Sequence, residues 1–270
     1  MNPWLLAPLF AATLFLSAWL LLAIQPIVSK SVLPWLGGSS SVWNTCAVFF
    51  QVGLLAGYAY VHLAVQRLGG RRHAIVHLLL LAGSLLLLPI SLAPASPPPS
   101  EGSHIPWLLD FLVRRIGVPF FLIASSAPLL QRWFGTSRHA RAGDPYVLYA
   151  VSNAGSLLGL LTYPTLAEPL LTLGQQQRLW SMVYGVLAAL VAACGAISLL
   201  TGARHPAASA PGERVALTWT QRLRWVLLAA IPSSLLLGVT THLTTDIAAV
   251  PLLWVVPLSL YLLTFILAFG

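Results

Sequence analysis

The sequence predicts an all-α, polytopic helical membrane protein of about eight transmembrane helices with both termini cytoplasmic. Three observations lead there. The 270 residues are 58% hydrophobic and only 7% charged, with a mean hydropathy of +0.84. Soluble domains carry about 25% charged residues, so a soluble fold would have to hide most of this apolar surface. Apolar runs of roughly 20 residues, the length that crosses a bilayer as a helix, recur along the chain. Basic residues gather in alternate gaps between those runs. Arg67, Arg71 and Arg72 fill one gap; Arg132, Arg138 and Arg141 the next; Arg204, Arg214, Arg222 and Arg224 the third. The intervening gaps hold Lys30, Glu101, Glu168, Arg178 and Asp246. Such alternation is the positive-inside pattern and sets the orientation.

The elements follow in order. The first helix is expected over residues 5–28, stopping near Gln25-Pro26, as an uncleaved N-terminal helix rather than a signal peptide, because no basic leader precedes it. The Gly- and Ser-rich stretch 33–41 reads as turns. The second helix is expected over 42–65 and the third over 74–92, with Gly69-Gly70 in the turn between them. The Pro-rich stretch 94–103 is a connector. The fourth segment, 105–134, is interrupted by Arg114-Arg115. Either an interfacial stretch over 107–115 precedes the membrane helix, the favoured reading, or one tilted helix carries both arginines, and Asp110 stands four residues before Arg114, the spacing of a helical ion pair. The last four helices are expected over 146–166, 179–200, 225–243 and 250–269, all within one membrane domain spanning 1–270. Trp4, Trp35, Trp43, Trp107, Trp133, Trp180, Trp225 and Trp254 fall near helix ends, as an aromatic belt would. The last helix is barely complete at Gly270, as in a chain whose longer relatives continue.

The net charge of +8 does not indicate nucleic acid, because the arginines are dispersed over short loops with no basic face of interleaved aromatics. They read as orientation signals and contacts for anionic lipid. Cys46 and Cys194 both lie within apolar runs without a C-x-x-C partner, so they are small packing residues rather than a disulfide or zinc ligands. The sequence has no G-x-S-x-G, H-E-x-x-H or Walker loop, and no catalytic residue, metal site or cofactor is expected.

Polar residues inside apolar helices are costly and so mark candidate sites. With the N-terminus inside, Gln25, Lys30, Asn44, Gln51, Tyr163, Glu168, Thr241, His242 and Asp246 all lie toward the outer side. Thr240, Thr244 and Thr245 join them. They predict one outward-facing polar cavity in which carboxylates hold a cation and Lys30 neutralises one when the site is empty. The competing reading is that each caps a helix or meets interfacial water, with Lys30 and Glu168 paired structurally. Ser152 and Asn153, beside Gly155 and Ser156, read as helix-packing polar residues, with Asn153 hydrogen-bonding across a close contact. His62 with Tyr58, and His77, fall toward the inner ends of their helices and read as interfacial.

A set of motifs in fixed order carries a family resemblance. They are Gln25-Pro26, Lys30 and Leu33-Pro34-x-Leu36-Gly37-Gly38-Ser39; Val42-Trp43-x-Thr45-Cys46; Phe49-Phe50-Gln51; and Gly57-Tyr58-x-Tyr60-x-His62. Then come Ala127-Pro128-Leu129-Leu130-Gln131-Arg132-Trp133, Tyr149 to Ser156, Tyr163-Pro164, Glu168-Pro169, the stretch from Ile231 to Ala248, and Pro251 to Val255. Together they resemble the membrane half of the bacterial fused MFS/spermidine synthases, over almost the whole chain. The resemblance implies residence in a bacterial inner membrane and a polyamine as the solute. In that family a cytoplasmic aminopropyltransferase domain follows the membrane part; its glycine-rich strand–loop–helix signal does not occur in these residues, so that activity is not expected of this chain. Two functions remain: transport or sensing of a small cationic solute, and anchoring of a cytoplasmic synthase-like domain. The label MFS does not follow from eight helices, since that class is built from two six-helix halves.

The orientation is testable. A cysteine introduced as Ala208→Cys is expected to react with a membrane-impermeant maleimide only when the cytoplasmic face is accessible.

Overall fold

The computed structural model describes residues 3–94, 97–99, 102–137, 146–201, 218–242 and 254–269. All regular structure among them is helical, and four helices are long and apolar enough to cross a membrane: Leu5–Leu36, Ser41–Leu87, Leu173–Leu200 and Trp219–Thr240. Each of the apolar segments expected from the sequence falls on helix, with shifted boundaries.

Helix α1 (Pro3–Leu36) runs through Pro26 and Pro34 instead of stopping at the first of them. Its end is set by Gly37, whose φ of 69° is the left-handed cap conformation and whose N–H bonds Leu33 O at 2.9 Å. Helix α2 (Ser40–Ser84) contains a break at Gly69, with φ 74° and ψ 161°. A straight helix would hold Tyr60 and His73 about 20 Å apart, yet their ring centroids are 5.1 Å apart. The chain therefore doubles back at Gly69, and the expected second and third helices are two arms of a hairpin. The second arm ends in a 3-10 turn at Leu85–Leu87, short of the expected residue 92. Beyond it Pro89 has no amide hydrogen, and the free amides of Ile90 and Leu92 donate to Ser181 Oγ (3.0 Å) and Gln177 Oε1 (3.1 Å).

Helices α3 (Ile105–Leu112) and α4 (Val118–Gly135) are joined by a π segment, Val113–Gly117, into one uninterrupted helical run. Both arginines sit on that segment. Arg114 Nε donates to Asp110 at 2.7 Å, the i,i+4 pair that the spacing indicated. Helix α5 (Tyr146–Thr162) passes through a second π segment, Tyr163–Ala167, into the short α6 (Glu168–Leu170). Pro164 and Pro169 remove two amides from the i→i−4 ladder there, which frees the chain to widen.

Helix α7 (Leu173–Thr201) begins six residues before the expected 179 and α8 (Trp219–His242) six before the expected 225. Both starts are closed by reciprocal side-chain caps. Thr172 N donates to Gln175 Oε1 (2.9 Å) and Gln175 N to Thr172 Oγ1 (3.3 Å). Thr218 N donates to Gln221 Oε1 (3.0 Å) and Gln221 N to Thr218 Oγ1 (3.3 Å). Helix α9 (Val255–Phe269) completes the order.

Helix α1 is the central rod, packed against α5, α4, α7 and α2. Against α5 the two backbones nearly touch. A Cβ on Gly159 would stand 2.6 Å from Trp19 O, and one on Gly155 would meet Phe15 O even more closely. The same small-residue spacing recurs on α2, where a Cβ on Gly57 would lie 3.0 Å from Ser125 N of α4. Trp133 and Trp180 are core residues rather than belt residues, at 4% and 1% exposure, whereas Trp35 and Trp225 are exposed. Cys46 and Cys194 are buried free thiols. Leu55, Leu86 and many other large apolar side chains face outward. Helix α8 is exposed along nearly its whole length and packs chiefly on α9.

Gly155→Ala is expected to lose about 1–3 kcal/mol of stability, because the methyl would meet a backbone carbonyl that no rotamer change can move. Gly185→Ala, on α7 with nothing within 4 Å of the new methyl, is expected to be neutral or stabilising. Thermal unfolding of the purified variants in detergent checks both.

Candidate functional site

The π segment Tyr163–Ala167, with Pro164 and Pro169, shapes a place where α1, α5–α6 and α7 bring polar groups together. Lys30, on α1 one turn after Pro26, forms an ion pair with Glu168 at the first position of α6. The two side chains are 37% and 34% exposed, so the pair joins two helices at an open edge of the bundle rather than in a sealed interior.

Beside the pair lies a cavity of about 280 Å³ between α1, α5–α6 and α7. Its walls include Trp19, Ile27, Tyr163, Leu171, Gln176 and Trp180. Trp180 is fixed by its indole N–H, which donates to Leu20 O at 3.0 Å. Gln176 is fixed by its amide nitrogen, which donates to Ala167 O at 3.1 Å and Leu171 O at 2.9 Å. Leu171 O lies just past the end of α6, where carbonyls lack intrahelical donors, and Ala167 O also accepts the Leu171 amide at 3.0 Å. Because carbonyls only accept, Nε2 must face them, and Gln176 Oε1 is left as a buried acceptor without a partner among the described residues. Tyr163, 2% exposed, likewise has a buried hydroxyl without one.

The residues expected to form one polar cavity are distributed as follows. Lys30, Glu168 and Tyr163 share this neighbourhood. Gln25 is half-buried and donates weakly to Leu21 O of its own helix at 3.4 Å. Asn44 and Gln51 are exposed on α2 and do not line the cavity. His242 closes α8, away from α1 in the packing order. Asp246, Thr244 and Thr245 lie outside the described residues, as does the side chain of Thr241. Asn153 bonds back to Tyr149 O at 2.9 Å, within its own helix, so the close α1–α5 contact is made by Gly155 and Gly159 instead. Ser152 is half-buried on α5.

A second polar cluster was only partly visible in the sequence. Tyr60, His73 and His77 pack ring against ring inside the α2 hairpin, with centroids 5.1, 6.0 and 6.1 Å apart. Both histidines are fully buried among protein side chains, and no ring nitrogen has a hydrogen-bond partner among the described residues. His62 is exposed and pairs with Gln66 at 2.9 Å. Among the described residues no group of three or more His, Cys, Asp or Glu side chains is placed to hold a metal.

The chain matches no family model, and it has no match among curated proteins or solved structures. The function is therefore argued from the site.

The exposure of the ion pair sets its strength. A double-mutant cycle of Lys30→Met and Glu168→Gln is expected to give a coupling of about 0.2–1 kcal/mol that shrinks as salt is raised. Unfolding in detergent at low and high ionic strength measures it.

Proposed function

We infer that this chain is an integral membrane module that moves or senses a small cationic solute such as a polyamine, and that Glu168 receives the cation. The observation that carries this is the Lys30–Glu168 pair. A carboxylate in a largely apolar wall is neutralised by a flexible, half-exposed ammonium from another helix. An incoming alkylammonium offers the same charge and the same donors. It can replace Lys30 without leaving Glu168 bare, and Lys30 can swing into solvent because it is not sealed in. The energetic difference between the two states is small, as reversible binding requires.

The outward-facing apolar side chains support residence in lipid, since contiguous exposed apolar surface on this scale is unusual for a water-soluble monomer. The alternating arginines support the orientation that places Lys30 and Glu168 toward the outer side, with a bacterial inner membrane as the setting that the family resemblance implies.

The test is flux of labelled spermidine in proteoliposomes containing only this chain. Glu168→Gln is expected to reduce saturable uptake to the empty-liposome level. Lys30→Gln, which removes the competing internal cation, is expected to tighten apparent affinity by about fivefold or less. Uptake unchanged by Glu168→Gln overturns the assignment of the site. No saturable flux or binding by the unmodified chain would favour the anchoring role for a cytoplasmic domain.

A further inference from the structure

The ion pair and the cavity share two walls. Trp19, Ala23 and Ile27 line the cavity from α1. Each stands four residues from the next, on one stripe of the helix. Lys30, three residues past Ile27, continues that stripe. From the facing side Ala167 lines the cavity and directly precedes Glu168. The helix rises about 12 Å from Trp19 to Ile27. The cavity is therefore an apolar slot along α1, with the Lys30–Glu168 pair at one end. Among the described residues no charged side chain lines the slot. Leu166 and Leu170 stand on its wall and are exposed, so it reaches the outer surface of the bundle.

We propose that the site takes a monoamine whose single ammonium ends an apolar body of one or two rings, with the ammonium on Glu168 and the body in the slot. This rests on the reading that Glu168 receives a cation, and it names which cation. Volume, charge and hydrogen bonding each narrow the class. A dry cavity of about 150 Å³ holds benzene, so about 280 Å³ accommodates one or two fused rings. A second ammonium carried into the slot would lose its hydration without a counter-charge. A polyamine therefore offers one end to Glu168 and gains nothing from the slot. An apolar body gains in proportion to the area it removes from water. A neutral molecule of the same shape fills the slot but cannot replace Lys30, and it forgoes the charge-assisted hydrogen bond to the carboxylate. A small amine without a body makes that bond and leaves the slot unfilled. Only a cation that is charged at one end and apolar at the other uses both parts of the site.

The experiment uses the full chain in phosphatidylcholine nanodiscs, whose lipid brings no primary ammonium. They are titrated with 5-fluorotryptamine and followed by ¹⁹F NMR. Nanodiscs without protein set the partitioning background. The ring body without the charge is represented by 5-fluoroindole, and labelled spermidine is the polyamine. Saturable one-to-one binding of 5-fluorotryptamine is expected, about tenfold or more tighter than spermidine. Glu168→Gln is expected to bring it down to the level of 5-fluoroindole. Ala23→Leu and Leu179→Trp add bulk to the slot wall and keep both members of the ion pair. Each is expected to lower the preference for 5-fluorotryptamine over spermidine by about fivefold. Leu179 is 40% exposed, so its variant tests the slot where Ala23→Leu, in the core, fails to fold. Binding of both amines through Glu168, with no preference for 5-fluorotryptamine and no response to either wall variant, overturns the monoamine and spares Glu168 as the cation's partner. Binding of 5-fluorotryptamine that ignores Glu168→Gln also overturns the proposal, and marks an apolar void. If no amine binds above the empty-nanodisc background, both this proposal and the reading beneath it fall.

Discussion

The close approach of α1 and α5 is the constraint on which the rest depends. With no side chain on Gly155 or Gly159, the α5 backbone can lie against the carbonyls of Phe15 and Trp19. That contact gains dispersion and loses little side-chain entropy, the usual source of helix association where neither partner gains from leaving water. It also places α1 within reach of every other layer. On its other faces α1 takes a bond from Trp180 to Leu20 O, offers Ser17 Oγ to Ile123 O of α4 at 3.4 Å, and brings Thr13 Oγ1 to 3.5 Å from Cys194 Sγ of α7. Lys30 reaches Glu168 only because α5 delivers α6 alongside the far end of α1. The ion pair and the cavity are both products of that one approach.

Polar groups serve two distinct purposes in this bundle. Most of them satisfy themselves within their own helix. Ser31, Thr45, Ser125, Ser126 and Thr165 each donate to the carbonyl four residues earlier and make no statement about function. A smaller set bridges elements, such as Ser84 with Tyr184 at 2.7 Å between α2 and α7. The unpartnered atoms of Tyr163 and Gln176 belong to neither purpose, which is why they stand out.

Much of the architecture was legible because it rests on local periodicity. Each apolar run became helix, Gly37 and Gly69 became turns, and Asp110 found Arg114. Boundaries were less legible where side-chain chemistry rather than hydropathy sets them. The Thr172-x-x-Gln175 and Thr218-x-x-Gln221 caps start α7 and α8 well outside their apolar cores, and both were readable as capping signatures. Gly53-x-x-x-Gly57 and Gly155-x-x-x-Gly159 were equally visible as packing spacings. The site divides along the same line. Lys30 and Glu168 could be named as a pair from charge alone in so apolar a chain. Gln176 could not, because its role needs the end of α6 folded against the start of α7. The burial of His73 and His77 needs the hairpin closed at Gly69, which no local pattern shows.

Among the described residues, helix α8 leans on α9 and little else, and α9 in turn leans on α5. A rod of 24 residues, about 36 Å long, with so little lateral contact among the described residues takes its inclination from its surroundings. In a bilayer those surroundings are acyl chains, whose thickness sets tilt when protein packing does not. The α1-centred body would keep its shape while this outer rod leaned, so compression or swelling of the lipid would register first as a change of angle at the rim.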